Sequence, residues 1–430
     1  MRTPTVSNPW TWIPTLYFGQ AIPYVVVMVL SVVIYKDFGI SNTDIAFYTS
    51  WLYLPWVIKP LWSPFIDMFR TKRWWTVAMQ LIIGAALASV ALTTHLPGFF
   101  QASLAILWLM AFSSATHDIA ADGFYMLALP QNQQAAFVGV RSTFYRLANI
   151  AGQGGLVYLA GQLTERTHDV AYAWSVVLFI TGAMFLALWG WHTFILPKPP
   201  GDHQVAASDN YIKEYFSTFG AFFGRRDIVL VLGFILTFRL GESQLIKLVV
   251  PFLKDPLAKG GLGLSTSQVG MVYGTVGVLF LTLGGLLGGY LISRIGLKRA
   301  LWPMVLAIHV PDVVFVFLST QLPENMYVVL ASIAFEQFGY GFGFTALMMY
   351  MIMVADGEHK TSHYAICTGL MALGMMVPGM YSGRIQEYLG YQHFFIYVCL
   401  MTLPAFLLAA LVKIPAEFGK KPAVEKDSFA

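Results

Sequence analysis

The sequence predicts an all-α membrane protein of twelve transmembrane helices, arranged as two pseudo-symmetric halves of six. Composition is the first reason. Of the 430 residues, 57% are hydrophobic and 11% are charged, against about 25% charged in a soluble domain. No soluble fold of this length hides so much apolar surface, so the solvent is lipid. The second reason is a count of apolar runs of about 20 residues, the length that crosses the hydrocarbon core. The third is a set of landmarks that recurs at nearly one spacing in the two halves.

The runs fall near 12–35, 43–66, 74–94, 102–128, 135–162, 172–196, 228–252, 267–292, 300–319, 325–354, 362–388 and 391–413. The first lacks the short apolar core and small-residue cleavage site of a signal peptide and reads as a retained helix. Connections are short except PKPPGDHQVAASDNYIKEYFSTFGAFFGRRD, residues 197–227. The expected organisation is a six-helix bundle over 1–196, a cytoplasmic linker over 197–227, a second bundle over 228–413 and a cytoplasmic tail over 414–430. Within the linker, YIKEYFSTFGAFF is amphipathic and suits the membrane surface. Of the 26 Lys and Arg, six lie within helices, at Lys59, Arg141, Arg146, Arg239, Lys247 and Arg384. The other 20 divide 16 to 4 in favour of the side that carries the termini. By the positive-inside rule both termini are cytoplasmic. Cys367 and Cys399 sit in apolar runs with no disulfide or metal pattern.

GISNTDI (39–45) between helices one and two matches GLSTSQV (263–269) between seven and eight. Gly39 and Gly263 are 224 positions apart, and Lys72-Arg73 and Lys298-Arg299 are 226 apart. The paired offsets argue for a duplicated six-helix unit. After helix two, SPFIDMFRTKRWW supplies Asp67, Arg70, Lys72 and Arg73. The second copy keeps Gly289, Arg294, Gly296, Lys298 and Arg299, with Ser293 where the acid would stand. This architecture and basic loop resemble the major facilitator superfamily. The resemblance implies alternating access, a gating role for the loop and a substrate cavity near the midplane between the halves.

FSSATHDIAADGFYM (112–126) places His117, Asp118 and Asp122 in an apolar helix, and helix five adds Arg141 and Arg146. Each ionisable group at the bilayer centre costs about 2.5–3.5 kcal/mol on the lenient insertion scale, so pairing or hydration is required. Taking Asn132 as the hairpin midpoint, Asp118 lies 14 residues before it and Arg146 14 after, Asp122 10 before and Arg141 9 after. Equal distances mean equal depth at about 1.5 Å per residue. The expectation is two layers, Asp118 with Arg146 and Asp122 with Arg141. The second layer suits a helix clamp. Asp118, deeper, suits proton coupling. His117 points about 100° away and reads either as a member of this network or as a packing residue.

The second half carries Arg239, Glu242 and Lys247 on helix seven, Asp312 on helix nine after His309 and Pro311, and Glu336 on helix ten. Arg239 and Glu242, three apart, suit a mutual pair. Lys59, in WVIKPLWSPFID, reads equally as a snorkelling lysine or as an anion anchor in the cavity. GYGFG (339–343) follows no strand, so it reads as small residues for close helix packing rather than a nucleotide loop. GQGG (152–155) and GGLLGG (284–289) read the same way. No nucleophile triad, metal motif or P-loop is visible, so the sequence points away from an enzyme, and no cofactor, metal or nucleic acid is expected.

KPLWSPFID (59–67), SSATHDIAADGF (113–124), FYRLANIAGQGGL (144–156) and FGQAIP (18–23) together resemble signatures of the AmpG-type muropeptide permeases and the related acetyl-CoA transporters. Lys59, Asp67, Asp118, Asp122 and Arg146 fall on motif positions, and His117 stands where the family usually has Gln. The resemblance implies proton-driven import of anhydro-muropeptides, sugar-peptides with acidic groups, across a bacterial inner membrane by a monomer. Tyr17, Gln20 and Tyr24 on helix one and Trp51 and Tyr53 on helix two then suit sugar contact. Lys59, Arg239 and Lys247, with Glu242 and Glu336, complete the expected cavity. Transport of another bulky anion, such as acetyl-CoA or a nucleotide-like metabolite, is the alternative within this scaffold. A membrane receptor that signals without transport is the alternative outside it.

Overall fold

A computed structural model describes residues 8–203, 209–356 and 360–420, except the side chains at 67, 131, 132, 134–136, 138, 209–211, 214, 215, 360 and 361. The first half comprises α1 (Pro9–Asp37), α2 (42–69), α3 (Lys72–Thr93), α4 (Phe99–Ala128), α5 (131–167) and α6 (Val170–Ile195). A linker helix, Asp209–Phe223, follows. The second half comprises α7 (Ile228–Lys254), α8 (Thr266–Ile295), α9 (Leu297–Gln321), α10 (Met326–Ala355), α11 (360–389) and α12 (391–411). Among the described residues, nine segments are long and apolar enough to cross a membrane, and one of them, Ser362–Leu411, holds both α11 and α12. Gly390, at φ +73°, separates that pair. With α2, interrupted at Leu52–Tyr53, and the more polar α5, the order is consistent with twelve crossings.

The matched loop sequences share a mechanism. Gly39 and Gly263 both have positive φ, +76° and +65°, a region open to glycine. Two residues on, Ser41 and Ser265 cap the next helix, accepting from the Asp44 and Gln268 amides. A Gly-x-Ser string thus turns the chain and starts α2 in one half and α8 in the other.

The apolar cores show how the halves sit. One large cluster, including Val33, Leu52, Val249, Phe252 and Phe315, runs across both halves at the end away from the termini, here the far end. At the terminal end the core divides. Trp12, Phe124 and Leu196 belong to a first-half cluster, and Phe234, Leu301 and Tyr350 to a second-half cluster. The molecule is joined at the far end and parted at the terminal end. Large apolar side chains such as Leu92, Leu286 and Leu407 remain exposed on the outer helix faces, as a lipid-facing belt requires.

Glycines set the closest approaches. A side chain on Gly274 would strike the Gln153 carbonyl, and one on Gly154 the Thr275 side chain, so α5 and α8 meet backbone to backbone across the halves. Both helices widen into π turns there, Ala151–Leu156 and Gly270–Gly277. Gly284 and Gly341 do the same between α8 and α10, and Gly339 and Gly343 between α10 and α9. The glycine-rich strings are packing surfaces, as expected from sequence. The linker helix buries Phe222 in the second-half core, and Arg225 donates to the Val354 carbonyl at the end of α10 (2.7 Å).

Candidate functional site

Two connected chambers lie between the halves. The inner one, about 480 Å³, is lined by Tyr24, Tyr53, Tyr145, Arg146, Lys247 and Gln337 among others. The outer one, about 700 Å³, shares Tyr24, Tyr53 and Tyr340 and reaches the terminal end past Lys59, Lys72 and Arg239. Both volumes lie within the usual range for ligand sites. Two cations face this space without a carboxylate within ion-pair distance among the described residues. Lys247 is 2% exposed, donates to Thr49 Oγ1 at 3.0 Å and lies 5.0 Å from the Tyr53 ring. Arg146 donates to the Thr282 carbonyl at 3.1 Å. Asn149 and Gln153 add amides to the wall.

The predicted layer of Asp122 with Arg141 is present at 2.7 Å. Tyr17 also donates to Asp122 (3.2 Å), and the Arg141 guanidinium lies over the Tyr17 and Tyr125 rings at 4.2 and 4.5 Å. Tyr17 therefore belongs to this clamp, and with Gln20 it lines a side recess rather than the main chambers. The predicted layer of Asp118 with Arg146 is absent. Asp118 instead accepts from Trp56 Nε1 (3.1 Å) and lies 3.8 Å from Lys59 Nζ, both from α2. Depth matching ignored azimuth. Arg141 and Arg146 are five residues apart, about 140° round the helix, whereas Asp118 and Asp122 share a face. Arg146 consequently turns to the second half, and Tyr145 occupies the position that a second layer needed.

His117 leaves this network as well. It is buried in the first-half bundle, where Gln80 Nε2 donates to its Nε2 (3.1 Å). Gln80 Oε1 accepts from His192 Nδ1 (2.9 Å), and His192 Nε2 meets Thr15 Oγ1 (2.9 Å). The chain ties four helices, α4, α3, α6 and α1. Its tautomers follow from the amide orientation. In the second half Arg239 and Glu242 form the expected i,i+3 pair at 3.6 Å. Arg239 also donates to the Tyr340 hydroxyl and lies 4.8 Å from the Phe344 ring. Glu242 and Glu336, at 4% and 3% exposed, stand behind the cavity wall rather than in it.

In the loop between α2 and α3, Thr71 caps α3. The Lys72 and Arg73 amides donate to Asp202 of the linker at 2.7 and 3.0 Å. Arg73 clasps the end of α6 through the Leu196 carbonyl (3.1 Å) and that of Thr193, and Arg70 lies 5.7 Å from the Trp74 ring. The side chain of Asp67 lies outside the described residues.

Sequence reasoning missed the far-end latch. Lys36 meets Asp255 at 2.7 Å and Lys254 meets Asp37 at 2.5 Å. Asp255 also accepts from Asn42 (3.2 Å) and Tyr391 (2.5 Å). Asp37 also accepts from Thr266 (2.8 Å) and Trp174 (2.8 Å). The arrangement is reciprocal. Each acid ends α1 or α7 and takes a Lys from the other half, the first residue of α2 or α8, and a ring donor near the start of α6 or α12. The signal was a duplicated Lys-Asp dipeptide. Its offset is 218 (255 − 37) rather than 224, because Asp255 to Gly263 spans six more residues than Asp37 to Gly39.

A far end sealed by paired charges, a terminal end open to a cavity between the halves, and two halves meeting at glycines fit a membrane transporter of major facilitator architecture. Solved structures agree on the fold. The nucleoside transporter NupG superposes with a TM-score of 0.69 at 14% identity, covering 94% of this chain and 98% of its own. A D-xylose-proton symporter gives 0.67 at 13%, covering 95% and 98%. The Major Facilitator Superfamily model matches residues 242–429. The chain belongs to the BT1 family, whose model matches residues 24–332. The "Putative transporter AmpG 4" of Rickettsia conorii is 24% identical over 400 residues, 90% of this chain and 92% of that protein. The "Anhydromuropeptide permease" of Escherichia coli K12 is 24% identical over 376 residues, 85% of this chain and 72% of that protein. The protein is a multi-pass transporter of the AmpG type, and its relatives are permeases rather than enzymes.

Proposed function

We propose that the protein imports anhydro-muropeptides together with protons, in an inner membrane, with both termini in the cytoplasm. The 16-to-4 excess of basic residues at the terminal end supports that orientation. On it, the conformation described is open to the cytoplasm and sealed outside. The observation that carries the substrate class is the pair Arg146 and Lys247, cavity cations without a carboxylate partner among the described residues. Burying such a charge is unfavourable, and a substrate carboxylate offsets that penalty. Tyr24, Tyr53 and Tyr145 offer ring faces to sugars, and Asn149 and Gln153 offer amides to hydroxyl or peptide groups. The name of the Escherichia coli relative points to the same cargo.

Asp118 is the coupling group on the first-half side. Its carboxyl accepts from Trp56 and lies beside Lys59. Protonation frees Lys59, which lines the outer chamber, to meet the substrate. The test is uptake of a labelled anhydro-muropeptide into vesicles under an inward proton gradient. Wild type accumulates it. Lys247→Met lowers uptake about tenfold or more, the size expected when a charge-assisted bond worth about 1.5–3 kcal/mol is lost. Equal uptake of an analogue with its carboxyls amidated would sink the anion reading.

A further inference from the structure

Behind the cavity wall of the second half lies a compartment with more acid than base. Glu242 of α7, Asp312 of α9 and Glu336 of α10 are all at least 95% buried. Asp312 is within electrostatic reach of both glutamates, and they of each other. Among the described residues one cation faces them, Arg239, bound to Glu242. The remaining titratable neighbours are Tyr273 of α8, Tyr340 of α10, His309 of α9 and Cys399 of α12. Lys247 shares α7 but turns about 140° away from Glu242, to Thr49. Glu336 accepts from Gln337 Nε2 at 2.9 Å. Among the described residues, Asp312 Oδ2 and both ring nitrogens of His309 have no hydrogen-bond partner. Two helices break at this level, α7 at Phe238–Arg239 and α9 at Val310–Asp312, and the Phe238 and His309 rings are 5.6 Å apart.

Charge counting then decides the protonation. Three carboxyls and one guanidinium leave two excess negative charges if all ionise, in a site with almost no contact with water. An isolated carboxylate there is strongly disfavoured. Glu242 has the guanidinium, and Glu336 and Asp312 do not. We propose that Glu336 and Asp312 are a proton-binding pair, both protonated in this far-end-closed conformation and separate from the substrate cavity. A metal cation is not what the geometry favours, since among the described residues no three His, Cys, Asp or Glu side chains converge to hold one. Gln337 and Tyr340 line the cavity and adjoin the compartment, so they mark the exit. On release each carboxyl O–H breaks and its proton passes to cavity water; Arg239 still balances Glu242, so the two carboxylates left behind form as water reaches them past Gln337 and Tyr340. Only the direction of proton flow rests on the import reading above.

The test compares wild type with Glu336→Gln/Asp312→Asn, which keeps the neutral shapes. In infrared spectra of the purified protein, the deuteration-sensitive carbonyl band of protonated carboxylic acids loses intensity in the double variant. An unchanged band means that both groups are ionised and overturns the proposal, whatever the cargo. In vesicles, substrate exchange without a gradient stays within about threefold of wild type, while accumulation driven by a proton gradient falls at least tenfold. Accumulation retained with the wild-type pH dependence overturns the proposal, as does uptake driven by sodium at symmetric pH. If wild type fails to carry anhydro-muropeptide, the cargo reading fails and the infrared band still decides the proton pair.

Discussion

At the far end Lys36-Asp37 of one half grips Lys254-Asp255 of the other, and every donor on one side has its counterpart on the other. In mid-membrane the same frame carries unlike charges. The first half sets Asp118 against Lys59 and Asp122 against Arg141, on helices that border the chambers. The second half buries three carboxyls around Arg239 behind its wall. A duplicated chain can keep its closure symmetric because the two halves must meet there. It can let the interior diverge because the chamber walls of the two halves need not match.

The largest expected effect breaks the symmetric side of that contrast. Asp37→Asn with Asp255→Asn leaves two lysines facing neutral amides. Losing one partner of a buried pair costs about 3–5 kcal/mol, so the far end opens by at least a hundredfold in population. Spin labels at the exposed positions Arg166 and Leu257, after replacement of Cys367 and Cys399, then move apart. Unchanged separation would show that the apolar core alone holds the seal. The two single variants should match within about threefold, and a large inequality would mean that the latch is symmetric in geometry but not in energy.

Next come the first-half acids, which should behave differently from each other. Asp118→Asn abolishes the response of uptake to a proton gradient while leaving the melting temperature nearly unchanged. Asp122→Asn lowers the melting temperature by several degrees, since the amide keeps an acceptor oxygen but removes the charge that pairs with Arg141, and it keeps the gradient response. Identical phenotypes would merge clamp and coupling group. The latch should be indifferent to physiological pH. Burial opposes ionisation of Asp255, but hydrogen bonds from Lys36, Tyr391 and Asn42 outweigh it and hold the carboxyl below the usual range. A depressed folded value gives stability that is present above the ordinary Asp value of about 3.9 and is lost as pH falls through the lower one. Label separation is therefore constant from pH 8 to 5, and opening within that window would contradict the assignment. The smallest effect is His117→Gln. An amide can still accept from Gln80, so uptake stays within about twofold.

The helices, the repeat and the glycine seams were legible because they depend on run length, local turn chemistry and residue size. The clamp was legible because Asp122 and Arg141 agree in both depth and face. The pairing of Asp118 with Arg146 failed because depth is linear in sequence and azimuth is not. The latch escaped because six extra residues in one loop broke the fixed offset. The compartment around Asp312 escaped because three acids on three helices share no spacing at all. Gln80 and His192, which claim His117, were hidden for the same reason.

The seam of Gly154 and Gly274, where the backbones of α5 and α8 come into contact, works as a bearing. The side chain beside Gly154 is the short Thr275, so one half can roll on the other without lifting off. A methyl group added to either glycine is a wedge under the pivot, and it biases both ends at once. A relative that has changed its cargo should therefore differ along the chamber walls and keep this contact bare.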